Sequence, residues 1–148
     1  MEQRRPHRGA DLERRPGDRP GPGGAVSDRA TDLTAVDVLD GLAVASDTQG
    51  TLHRLPLAGG TRPPVPGHHG EARTVACGQH PDGRAVAVTG GWDGTVRVWD
   101  LRAGAELHRI PVEHPVHAVA LAADGTVVTG WQGGIGVFRL HDRRRRRR

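Results

Sequence analysis

At 148 residues the chain can hold one ordinary domain, and its single cysteine, Cys77, excludes an internal disulfide. The net charge of +4 does not describe a basic fold: residues 31–141 carry eleven acids against eight Arg, and the positive excess sits in the two tails. No apolar run reaches membrane-spanning length and no hydrophobic stretch follows the charged N-terminus, so no membrane partner or secretory signal is expected and the reading is cytoplasmic.

Residues 1–30 repeat Arg-Arg-Pro and Pro-Gly combinations, a composition that cannot build a core and is expected to be disordered. The β-prone runs begin after residue 31. A first group covers 33–38, 42–46 and 51–55. A second covers 72–77, 85–89, 95–99 and 105–110, and a third 116–121, 126–129 and 134–140. Within each group the first two runs are joined by Asp40-Gly41, Pro81-Asp82-Gly83 or Asp124-Gly125. Asp-Gly suits tight hairpins because glycine accepts positive φ and the Asp carboxylate bonds the nearby backbone. The stretch 61–66 holds three prolines and reads as an outermost strand, the only place in a sheet where proline is tolerated. Cys77 falls at an inward position of its run, matching Val38 and Leu121, and reads as a packed core thiol.

The three groups repeat one another. Gly50, Gly94 and Gly133 lie 44 and 39 residues apart, each just before a strand, and Leu33-x-x-Val36-x-Val38 is echoed by Ala72-x-x-Val75-x-Cys77 and Val116-x-x-Val119-x-Leu121. A period of about 40–45 residues with four strands per unit marks a repeat of propeller blades. The middle unit, with Gly90-Gly91-Trp92-Asp93-Gly94 and Val98-Trp99-Asp100, resembles the WD40 repeat family. That resemblance implies an all-β, incomplete propeller of three blades (31–66, 67–113 and 114–141), flanked by tails that composition reads as disordered, Arg/Pro/Gly-rich at 1–30 and poly-Arg at 142–148. It also implies a structural hydrogen-bonded tetrad of His68, Thr89, Asp93 and Trp99. The outer units depart from it, offering Ser46, Gln49 and Leu55 in one and His114, Thr129, Gln132 and Phe138 in the other.

Candidate chemistry is sparse. His68-His69 and His114-x-x-His117 are the only local histidine clusters and lack the four-ligand spacing of a zinc site, so no metal and no cofactor are expected. Asp40, Asp82, Asp93 and Asp124 are absorbed by turns, and the glycines from Gly130 to Gly136 lack the Lys-Ser/Thr of a phosphate loop. The chain therefore reads as non-enzymatic. Arg143, Arg144, Arg145, Arg146, Arg147 and Arg148 offer an alternative, association with RNA or DNA through their charge. No aromatic residue interleaves them as a stacking platform, and nucleic acid is the weaker reading.

The resemblance implies instead a scaffold that binds a protein or peptide. In the family the contact face draws on the position before the turn Asp and on two positions at the start of the first strand. In this sequence those are Glu71, Arg73 and Trp92 of the middle unit and Pro115, His117 and Trp131 of the last. The first unit gives Asp32, Thr34 and Thr48. Trp92 and Trp131 are read as equivalent turn residues. Three blades are too few to close a propeller. The chain is expected either to be part of a longer propeller or to complete one by self-association.

Overall fold

The computed structural model describes residues 32–142. The readings made for residues 1–30 and for the six terminal arginines lie outside the described residues. All ten expected strands are present within two residues of their expected bounds. The first blade contains β1 (Leu33–Leu39), β2 (Leu42–Asp47), β3 (Thr51–Pro56) and β4 (Val65–Pro66). The second contains β5 (Ala72–Gln79), β6 (Ala85–Gly91), β7 (Thr95–Asp100) and β8 (Ala105–Pro111), and the third β9 (Val116–Leu121), β10 (Thr126–Trp131) and β11 (Gly134–Arg139). Each is an antiparallel meander with neighbours in chain order, four-stranded in the first two blades and three-stranded in the last.

The hairpins form for the reasons visible in their residues. Asp40 and Gly41 both take positive φ, 50° and 77°, which closes Leu39 onto Leu42 in a two-residue turn. The proline-laden stretch contributes only Val65 and Pro66 to pairing, against Leu52 and Thr51. Proline has no N–H to give a further ladder, so the outer edge of blade one stays short.

The blades stack face to face around two apolar clusters. Val44, Leu52 and Val65 of blade one meet Val75, Ala87, Trp99 and Leu101 of blade two. On the opposite face of blade two, Val86, Val88, Val96 and Val98 meet Val116, Val127 and Leu140 of blade three. Strand alternation thus sends the middle blade's side chains into both clusters, and each fully buried Val or Leu contributes about 1.5–3 kcal/mol of transfer free energy. Polar links reinforce the stack. Asp37 accepts from the Cys77 N–H at 2.8 Å, Thr34 donates to the Ala72 carbonyl, and the Arg54 guanidinium donates to the Leu101 carbonyl at 3.0 Å.

Candidate functional site

The middle blade is organised by one buried chain of hydrogen bonds. Trp99 Nε1–H donates to Thr89 Oγ1 at 2.9 Å, Thr89 Oγ1 lies 2.7 Å from His68 Nε2, and His68 Nδ1 lies 3.0 Å from Asp93 Oδ1. Every polar atom is satisfied when His68 is neutral, with Nδ1–H donating to the carboxylate and Nε2 accepting from the Thr89 hydroxyl. Burial lowers the His68 pKa, and the pull of Asp93 offsets this only in part. Burial alone would raise the Asp93 carboxyl. Bonds from His68, from Thr95 and from the His69 N–H overcome it and hold Asp93 well below the usual carboxylate range. Arg97 completes the corner: almost fully buried, it reaches Asp93 Oδ2 at 3.0 Å and the Gly67 carbonyl at 2.8 Å. This residue was missed in the sequence, although alternation along β7 puts it on the same face as Trp99.

Gly91 makes this corner possible. A Cβ there would collide with His68 Nδ1 and Cγ, so the histidine occupies the space a side chain would take.

Above the corner lies the exposed rim of the stack. All three inner strands carry an irregularity at the same register: Thr34, Arg73 and His117 are each skipped in the pairing of their strand with its neighbour. Such a bulge re-aims its side chain out of the sheet's alternation. At this rim Arg73 Cζ sits 5.1 Å from the centroid of the Trp92 ring, and the His117 ring meets Trp92 edge-on at 5.9 Å. Trp92 is 45% exposed, with its backbone N–H donating to the Glu71 carbonyl and the Glu71 carboxylate 3.6 Å from Arg73. Glu71, Arg73, Trp92 and His117 therefore come together as one surface, with Pro115 exposed beside His117.

Two expectations need correction. Trp131 is not at the turn position of Trp92: it is the last residue of β10, paired with Val116 and Gly134, the place held by Gly91 in blade two. The last blade's turn is Gln132-Gly133, one residue shorter, which moves everything before it by one. The Trp131 ring lies over Gly134 and Gly136 and stacks on His114 at 5.4 Å. Its side chain leaves from the place of Gly91, where a Cβ would meet His68 in blade two, and reaches Gly136, which stands at the place of Arg97. Ser46 is likewise not the counterpart of Thr89. Ala45, opposite His53, holds that place, as Thr89 stands opposite Arg97, and Ser46 bonds the Thr34 hydroxyl at 2.8 Å instead. Blade one closes its corner through a pair the sequence reading missed. Buried Asp47 takes His53 Nε2 at 2.7 Å and the N–H groups of Gln49 and Thr51.

A separate concavity of about 440 Å³ opens at the opposite rim between blades two and three, lined by His80, Asp82, Arg84, His108, His141 and Asp142 among others. The hydrogen bond from Arg84 draws the Asp82 carboxyl down to about 2. Among the described residues no three His, Cys, Asp or Glu side chains converge to hold a metal ion.

Residues 62–100 match the family described as WD domain, G-beta repeat. The chain carries a WD40 repeat. It spans the structural corner from before His68 to Asp100, and the other two blades share its sheet order around it. Over 55 residues the chain is 47% identical to the ribosome biogenesis protein ERB1 of Chaetomium globosum, a match covering 36% of this chain and 7% of that protein. The crystal structure of the computationally designed Ika8 protein superposes with a TM-score of 0.65 at 24% identity, over 80% of this chain and 35% of that one. The fold is that of an incomplete WD40-like propeller, and the chain spans only a minor part of the length of either protein.

Proposed function

We propose that the chain is a protein-interaction scaffold, without catalytic activity of its own, whose contact surface is the Trp92 rim. The observation that carries this reading is the posture of Trp92. A large ring stands nearly half exposed, held between a bulged Arg73 and a bulged His117, while the hydrogen-bonded corner beneath does not need it. Tryptophan and arginine are the residues most enriched among binding hot spots, and a cation held over a ring is pre-positioned at little further entropic cost. Trp131 does not belong to this surface, because its ring is engaged with His114 and the glycines of β11. The WD40 match supports a scaffold role. The segment shared with ERB1 is too small a part of that protein to bring its role in ribosome biogenesis with it.

The test pairs capture with direct binding. Partners captured from lysate by the wild-type chain are identified by mass spectrometry, prepared recombinantly and titrated by calorimetry against Trp92→Ala and Arg73→Ala. Each substitution is expected to weaken binding at least tenfold with an unchanged β spectrum. Wild-type affinity in the double variant would remove the rim from consideration.

A further inference from the structure

The two ends of the blade stack are apolar, and the blade equivalences say what each end is built to meet. On blade three the exposed side chains are Ile135 at 70% and Val137 at 65% accessible. Counted from the strand that precedes them, they stand where Val96 and Val98 stand in blade two, both at 0% because blade three covers them. On blade one Val36 at 66% and Val38 at 53% are exposed on the outer face. Their register partners, Ala45 and Ala43, make them the counterparts of Val75 and Cys77 in blade two, which pack against blade one. They are equally the counterparts of Val119 and Leu121 in blade three, which pack against blade two. One end is thus the giving side of an inter-blade contact and the other the receiving side of the same contact.

We infer that a second copy of this chain covers both ends head to tail, the outer face of blade three in each copy stacking on the outer face of blade one in the other. A contact between unlike faces either closes into a ring or runs on as a filament. Two copies of the three described blades make six, inside the range of closed propellers, whereas three copies make nine, outside it. A closed pair would bury Val36, Val38, Ile135 and Val137 together, removing the apolar faces that the ends of a single stack expose. The inference does not involve the Trp92 rim and stands or falls separately from it.

The experiment is sedimentation of the full chain and of two variants, Val36→Glu and Val137→Glu, singly and mixed. Both positions are exposed in the monomer, so circular dichroism and tryptophan fluorescence should be unchanged. The wild type is expected at twice the monomer mass of 15.8 kDa. Each variant alone is expected as a monomer, because in a homodimer both contacts would contain a glutamate. An equimolar mixture is expected to regain a dimer, since one of its two contacts joins a wild-type blade three to a wild-type blade one. A monomeric wild type would mean that some other chain or further blades cover these faces, and would overturn the inference. So would an open-ended series of higher species, variants that associate like wild type, or a mixture that stays monomeric.

Discussion

Thr89 in blade two and Thr129 in blade three hold the same place in their sheets, opposite Arg97 and Gly136, and both are about 1% exposed. Thr89 receives the Trp99 N–H and meets His68, whereas the Thr129 hydroxyl has no hydrogen-bond partner among the described residues. Phe138 stands at the register place of Trp99 and has no N–H to donate, and Trp131 stands at the place of Gly91, the residue that makes room for His68. The same residue at the same address is a hub in one blade and an uncompensated polar atom in the other. A repeat position therefore has no fixed energetic worth: its partners decide it.

The contrast can be broken most severely at Gly91. Gly91→Ala forces a methyl into the His68 ring and must both crowd the corner and undo its hydrogen bonds. The expected loss is about 3–5 kcal/mol in urea unfolding followed by tryptophan fluorescence. Stability within 1 kcal/mol of wild type would mean the corner is far looser than its packing. Thr89→Val and Thr129→Val test the comparison directly. The first strands the Trp99 N–H and His68 Nε2 and should cost about 2–4 kcal/mol, while the second removes an unpaired hydroxyl and should be neutral or stabilising by up to about 1 kcal/mol. Equal losses at the two sites would contradict it.

The smallest effect is that of pH. His68 is held neutral, with a folded pKa below its unfolded value near 6.5. It contributes stability that is fully present above about pH 6.5 and is lost as pH falls toward the folded value. Asp93, also depressed, adds its own loss only below about pH 4, as the unfolded carboxyl begins to protonate. Urea midpoints measured from pH 8 to pH 5 should therefore decline gently, and the decline should steepen only at still lower pH. A midpoint that rises on acidification to pH 5 would contradict a neutral His68.

Most of the strand plan was legible, because alternation and Asp-Gly turns are local signals that survive without tertiary context. The middle corner was legible through its motif. What escaped were features that depend on two segments at once. The bulges at Thr34, Arg73 and His117 show only when strands are paired, and the one-residue deletion at Gln132-Gly133 shifts Trp131 without altering the apolar pattern. Asp47 and His53 had no counterpart to echo, since Gly91 and Arg97 occupy those places in the middle blade. The outer blades are closed by substitutes, and a substitute cannot be found by looking for the original.

Cys77 has a practical consequence. Its thiol is pushed up to about 12, first by burial against the cluster between blades one and two and then by Asp37 nearby. At neutral pH it stays protonated, and the thiolate is the form that attacks alkylating reagents. A second cysteine placed on an open turn, for instance at the exposed Leu57, would then be the one thiol a maleimide dye or spin label addresses. Distances between labelled copies could be read on the unaltered core, with the native residue left in place.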